Sequence, residues 1–271
     1  MQQLLRSIYY ALPLWCRKWI RRLYYLPKDL FMAKDDAIPP SGKNFTGSGD
    51  FIATGKEFFD YFTQFALIHK DSQILEIGCG MGRMALPFKD YLSPNGHYTG
   101  IDIVQEGIDW CKNRITPGDS RFSYYYAPIF NTLYNPNSKL HTIDYKLPVG
   151  DASIDFVLLT SVFTHLLPDE VSHYLSEINR VLKPRAKVFA TFFIVKEVQS
   201  DKTLLKFNYA MKNHFLINKN IPEANVGYPE DHIYCMYKNS NLSIEKILYG
   251  SWSGQEPYTS FQDIVIAIKN D

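Results

Sequence analysis

The sequence contains no run of about 18 consecutive apolar residues, the length a helix needs to cross a bilayer, so no membrane-spanning helix is expected. It is poor in cysteine. Cys16, Cys79, Cys111 and Cys235 stand far apart with no C-x-x-C pair, which argues against a disulfide framework and a zinc site and fits a reducing compartment. No small-residue cleavage site follows the N-terminal segment, so a secretory leader is not expected. Net charge is only +1 over 271 residues, which gives bulk electrostatics no hold on nucleic acid. No GK[ST] follows a glycine-rich turn, which excludes a phosphate-cradling P-loop.

What the chain does have is a globular composition, 46% hydrophobic and 21% charged, too apolar to stay disordered. Its charge is unevenly placed. Residues 1–34 carry seven basic side chains (Arg6, Arg17, Lys18, Arg21, Arg22, Lys28, Lys34) and one acid, Asp29, so the rest is net negative. From Leu14 to Leu26, at about 100° per residue, Trp15, Cys16, Trp19, Ile20, Leu23 and Leu26 share one arc. Arg17, Lys18, Arg21 and Arg22 share the opposite arc, and Pro13 suits the helix start. That is the pattern of a helix lying in a membrane interface. A helix docking its Trp face on the domain or on a second subunit has the same pattern. The expected organisation is a basic amphipathic head, 1–34, and one domain, 35–271, that is cytoplasmic with peripheral contact at the inner face of a membrane.

Beyond the loop-like stretch 35–50, helices and short apolar strands alternate. "QILEIGC", "HYTGIDI", "RFSYYYA", "SIDFVLLTS" and "AKVFATFFIV" read as strands, with "EGIDWCKNRI" and "PDEVSHYLSEINRVLK" as helices between them. In the last helix Pro168 takes the first position, Asp169 and Glu170 follow, and Lys183-Pro184 stops it. "NLSIEKILYG" and "FQDIVIAIK" read as a closing strand pair. The alternation predicts an α/β fold with a mostly parallel sheet covered on both faces. An aromatic-rich insert, 195–232, shows no strand pattern and reads as a helical lid.

In such a sheet, ligands bind beyond the carboxyl ends of the strands. "ILEIGCGMGRMAL" places Gly78, Gly80 and Gly82 where the first strand turns into a helix, with Glu76 just before. Asp102 ends the second strand, where a carboxylate can accept both hydroxyls of a ribose.

These residues, with "YTGIDI" and "DASIDFVLLTSVFTHLLPDEVSHYLSEINRVLKP", resemble the class I S-adenosylmethionine-dependent methyltransferases over roughly residues 50–195. The resemblance implies a Rossmann-like seven-stranded sheet, its last strand antiparallel, and S-adenosylmethionine as cofactor. It implies that Glu76, Gly78, Gly80 and Gly82 line the methionine moiety, that Asp102 holds the ribose hydroxyls and that Ile103 packs on adenine, with Ala127 and Ser161 in the same pocket. The family's acidic reader of the adenine amino group is absent. "YYYAPIFNTLYNP" stands there, and Asp144 or backbone would substitute. The base-methylating Asn/Asp-Pro-Pro-aromatic and Pro-Cys signatures are also missing. "SVFTHL" and "WSG…SFQDIVIA" resemble a subgroup met beside glycan assembly.

The expected activity is therefore O-methylation of a saccharide or glycolipid hydroxyl. Another small molecule or lipid acceptor, or a catalytically silent scaffold, are the alternatives. An alcohol acceptor calls for a general base. His165, in the loop after the fourth strand, is the leading candidate, though a loop-shaping histidine fits the same position. His232 and Asp144 follow, and Trp252 would wall the acceptor pocket or sit in the core. No metal site is expected.

Overall fold

The computed structural model describes residues 12–31, 36–47, 49–196 and 201–271. The start of the basic head, with Arg6, its end at Lys34, and residues 197–200 of the insert lie outside the described residues.

Seven strands form the main sheet: β1 (Gln73–Ile77), β2 (His97–Asp102), β3 (Phe122–Tyr126), β4 (Ile154–Leu159), β5 (Leu182–Phe192), then β9 (Leu242–Leu248) and β10 (Asp263–Lys269). Their order is β3-β2-β1-β4-β5-β10-β9. The first five pair in parallel, and β10 runs antiparallel to both β5 and β9. This is the Rossmann-like architecture expected. Parallel strands covered on both faces read as continuous apolar runs, and four of the five β1 residues are buried.

Helices cover the two faces: α2 (Phe51–Tyr61), α3 (Ala85–Tyr91), α4 (Gln105–Trp110), α5 (Pro168–Val181) and α6 (Glu230–Asn239), with α1 (Leu14–Phe31) outside them. Asp50 caps α2 by accepting from Ala53 N at 2.7 Å. Helix α5 buries Val171, Tyr174, Leu175, Ile178 and Val181, the three-and-four spacing of one helical face. Its entry is fixed by Leu167 N donating to Glu170 Oε2 at 2.8 Å. Two separate buried clusters result, one on each face of the sheet.

Two expectations are corrected. The described part of the insert is not a helical lid: its helix is limited to a 3-10 turn at Pro222–Ala224 and the start of α6. It forms a small antiparallel sheet of β6 (Tyr209–Ala210), β7 (Phe215–Leu216) and β8 (Val226–Gly227), whose two-residue strands are too short to leave a periodic trace. Helix α1 also docks the other way round from the Trp-face arrangement. Its basic arc faces the domain: Lys18 Nζ and Arg22 Nη2 meet Glu106 at 3.1 and 3.0 Å, and Arg21 Nε donates to the Ser41 carbonyl at 3.3 Å. Trp15, Trp19, Leu23, Leu26 and Leu30 are at least half exposed. Asp29 then accepts from Ser41 N (2.7 Å) and Gly42 N (2.9 Å), so the segment after α1 runs back along it toward the domain.

The chain segments that follow β5 and β9 are tied to the start of β10 by Asp263, 1% exposed. Its carboxylate accepts from Ile194 N, Gly250 N and Trp252 Nε1, each at 2.7 Å. Burial raises its pKa to about 6 although these three donors pull the other way. Asp263→Ala strands three buried donors at once. The expected loss is roughly 3 kcal/mol, at about 1–3 kcal/mol per unsatisfied group and less than additive. Urea denaturation checks it, with Asp263→Asn, which keeps one acceptor oxygen, expected to lose less.

Candidate active site

After Ile77 the chain turns through Gly78, Gly80 and Gly82 at φ of 82°, 54° and 80°. These left-handed values strain any residue with a Cβ. The turn is fastened to the end of β2. Gly78 N and Cys79 N donate to the Ile101 carbonyl at 2.7 and 3.0 Å, and Gly80 N donates to Asp102 Oδ2 at 2.6 Å. Asp102 Oδ1 accepts from Val104 N at 2.7 Å. Protein atoms occupy the space beside each glycine. A Cβ on Gly78 would lie 2.4 Å from Val162 Cγ2, one on Gly80 2.3 Å from Thr46 Cγ2, and one on Gly82 2.8 Å from Ile115 Cγ1.

A cavity of about 500 Å³ opens at the carboxyl ends of β1, β2 and β4, inside the roughly 300–1,000 Å³ range of small-molecule sites. Glu76, Gly78, Gly80, Asp102, Ile103, Ala127, Ser161 and His165 all line it. Gly82 does not. Its missing side chain makes room for Ile115 and Cys111 beneath the turn. Asp144 is exposed and outside the lining. His232 is also outside, its ring stacked on Tyr228 with centroids 6.4 Å apart. His173 Nε2 donates to the Tyr145 carbonyl at 2.8 Å. Trp252 is a core residue, 1% exposed.

Ser161 has φ of 59°, unusual for a residue with a side chain. It is held there by Thr191 Oγ1, which accepts from Ser161 N at 2.8 Å, and by Gln262 Nε2, which donates to Ser161 Oγ at 2.7 Å. The His165 ring is fixed from the insert: its Nδ1 lies 2.8 Å from the Glu223 carbonyl. A carbonyl only accepts, so Nδ1 carries the proton and Nε2 is the lone-pair nitrogen of the neutral ring.

Several lining residues carried no sequence signal. Phe45 and Thr46 come from the loop after α1 and cover the glycine turn. Asn131 Oδ1 accepts from Leu133 N and Tyr134 N at 3.0 and 3.1 Å, an Asx turn that aims Tyr134 at the cavity. Arg83 follows the third glycine directly and lines the cavity, and its buried Nε has no hydrogen-bond partner among the described residues. Its position in "GCGMGR" was the available signal.

Two buried carboxyls dominate the electrostatics. Burial pushes Glu76 up to about 8, against the Tyr98 hydroxyl that donates to it and with Asp102 nearby adding to the rise. Burial likewise raises Asp102 to about 6, against the backbone donors of Val104 and Gly80. The cavity therefore combines acidic groups, one guanidinium and an imidazole, a set that suits a ligand bearing an amine, a carboxylate and hydroxyls.

Residues 75–190 match the family model described as a methyltransferase domain. Over 117 residues the chain is 31% identical to an uncharacterized methyltransferase of Schizosaccharomyces pombe, covering 43% of this chain and 38% of that one. It is 26% identical over 120 residues to a tRNA N(3)-cytidine methyltransferase of Gallus gallus, covering 41% of this chain and 28% of that one. The chain thus spans well under half the length of these relatives. A SAM-dependent methyltransferase of Methanosarcina mazei shares the fold at a TM-score of 0.50 and 21% identity, over 75% of this chain and 94% of that one.

The raised pKa of Glu76 sets a pH dependence. In the unfolded chain it titrates near 4.5, and in the fold near 8. The folded state holds the proton more tightly, so this stabilisation is complete below about 4.5 and is lost as pH rises through about 8. Glu76→Gln keeps the oxygen that Tyr98 donates to and cannot ionise. Between pH 5 and 8 the cofactor-free wild type should lose stability relative to Glu76→Gln by about 1.4 kcal/mol per pH unit at most. Thermal melts over that range test it, and a difference that stays constant with pH would contradict the burial of an ionisable Glu76.

Proposed function

The chain carries a class I S-adenosylmethionine-dependent methyltransferase domain, and on that premise we propose that it O-methylates a hydroxyl of a saccharide or glycolipid. The cofactor supplies a methyl group already activated on a sulfonium. The residues around the cavity fit it. Glu76 takes the ammonium of the methionine moiety and Arg83, with its unpartnered Nε, the carboxylate. Asp102 takes the ribose hydroxyls, Ile103 packs on adenine, and the Gly78 and Gly80 backbone, Ala127 and Ser161 form the walls. Gly82 serves the turn, leaving the ligand to its neighbours.

The observation that carries the hydroxyl acceptor is the His165 tautomer. With Nδ1 bound to the Glu223 carbonyl, the lone pair sits on Nε2 and can take a hydroxyl proton as the acceptor oxygen attacks. Gln262, Leu205 and Phe261 lie in the same cavity and would orient the acceptor and exclude water. The match to the tRNA-directed relative gives little support to a nucleic-acid acceptor. The family match ends at residue 190, before Glu223, Phe261 and Gln262, so part of the proposed acceptor side lies outside it.

Asp102→Ala removes the carboxylate proposed to hold both ribose hydroxyls. Cofactor affinity, read by isothermal titration, should fall roughly tenfold to several hundredfold. His165→Ala should lower kcat by about 10²–10⁴ with cofactor affinity intact, measured with labelled cofactor on a saccharide and glycolipid panel. A drop of less than about tenfold leaves His165 as a loop-shaping residue.

Peripheral membrane contact through α1 belongs to the same reading, with the exposed Trp15, Trp19, Leu23 and Leu26 face as the inserting side. Neutral phosphatidylcholine vesicles should carry the full chain upward in flotation, and Trp15→Ser/Trp19→Ser should stay behind. Equal behaviour of the two would remove the membrane contact.

A further inference from the structure

A second cavity of about 320 Å³ lies between α1 and the domain. Five cationic side chains line it, Arg17, Lys18, Arg21, Arg22 and Lys43, against one carboxylate, Glu106. That carboxylate is already shared by Lys18 and Arg22. Arg21 donates to a neutral carbonyl, that of Ser41. Neither Arg21 nor Lys43 has a carboxylate partner among the described residues. Arg17 is only 7% exposed. Cations gathered in a concave site with low-dielectric walls focus positive potential and favour an anion. Guanidinium groups suit a phosphate through paired N–H donors.

This cavity adjoins the first. Phe45, Gly47, Val104 and Tyr134 line both. The Tyr134 ring stands edge-on to His165 with centroids 6.1 Å apart, and its centroid is 6.5 Å from that of Phe45. One molecule can therefore present a hydroxyl at His165 and extend past Tyr134 to the cations under α1.

We propose that the cationic cavity is a phosphoryl subsite, holding the phosphate or diphosphate of a phosphorylated acceptor whose hydroxyl is methylated beside His165. The anion binding stands on the cavity alone, whereas its link to methyl transfer rests on the reading under Proposed function. The phosphoryl group has two possible sources, a soluble phosphate ester or a lipid phosphate, and the exposed apolar side of α1 lies on the same helix as four of the five cations.

The test uses the full chain at low ionic strength, titrated by calorimetry with inorganic pyrophosphate and, separately, with S-adenosylmethionine. Pyrophosphate should bind saturably. Arg21→Gln/Lys43→Gln should weaken it roughly tenfold or more, the scale of one lost charge-assisted pair. Neither residue lines the first cavity, so the variant's cofactor affinity should be unchanged, which also reports that it is folded. No saturable pyrophosphate binding up to several millimolar, or equal binding by the variant, overturns the subsite. Cofactor binding without pyrophosphate binding defeats the subsite alone. Pyrophosphate binding without cofactor binding defeats the methyltransferase reading alone. Vesicles of phosphatidylcholine with and without phosphatidic acid separate the sources. Retention that phosphatidic acid strengthens beyond that on phosphatidylcholine alone, and that pyrophosphate brings back to that level, assigns a lipid phosphate. Pyrophosphate binding with no phosphatidic acid dependence assigns a soluble ester.

Discussion

The Asp102 carboxylate accepts one backbone N–H from each of two loops, Gly80 after β1 and Val104 after β2. Almost everything around the first cavity depends on that clamp. It holds two strand ends at a fixed separation, and it makes the left-handed glycine turn the low-energy path for a chain that must bring Gly80 N to a carboxylate. It also keeps the carboxylate buried at 7% exposure. That burial costs free energy, visible as the upward pKa shift of both Asp102 and Glu76. A fold that holds two carboxyls in this state favours a ligand able to hydrogen-bond or neutralise them.

Much of this architecture was legible in the sequence because it rests on local rules. Continuous apolar runs marked the buried parallel strands. Pro168 and the acidic first turn marked α5, and the glycine turn with Asp102 marked the strand ends where the first cavity opens. The illegible parts depend on contacts between distant residues. Nothing in "LLKFNYAMKNHFLINKN" announces a sheet of two-residue strands. His165 could be nominated from its loop, but its tautomer is set by the Glu223 carbonyl, 58 positions away. Gly82 fits the glycine motif, yet its lack of a side chain serves Ile115 and Cys111. Helical spacing assigned two opposite arcs to α1 correctly. Which arc faces the domain was decided by Glu106, which no wheel drawn for residues 14–26 can include.

The wall of the first cavity beyond the glycine turn is assembled from elements far apart in the chain. The loop after α1 supplies Phe45 and Thr46, the 127–146 loop supplies Asn131 and Tyr134, and the segment before β10 supplies Phe261 and Gln262. The insert adds Ala224 and Asn225. The domain match runs from 75 to 190, so Phe45, Thr46, Ala224, Asn225, Phe261 and Gln262 line the cavity from outside the shared domain, whereas Asn131 and Tyr134 line it from within.

Helix α1 is held to the domain largely by ions and faces outward with hydrocarbon. Its two sides therefore answer solvent conditions in opposite directions. Added electrolyte screens the contacts of Glu106, 31% exposed in its side chain, to Lys18 and Arg22, each 42% exposed. Salts of the excluded kind, such as sulfate, strengthen the drive to hide Trp15, Trp19 and Leu23. The same helix roofs the cationic cavity, so the solvent conditions that act on its ionic side act on that cavity as well.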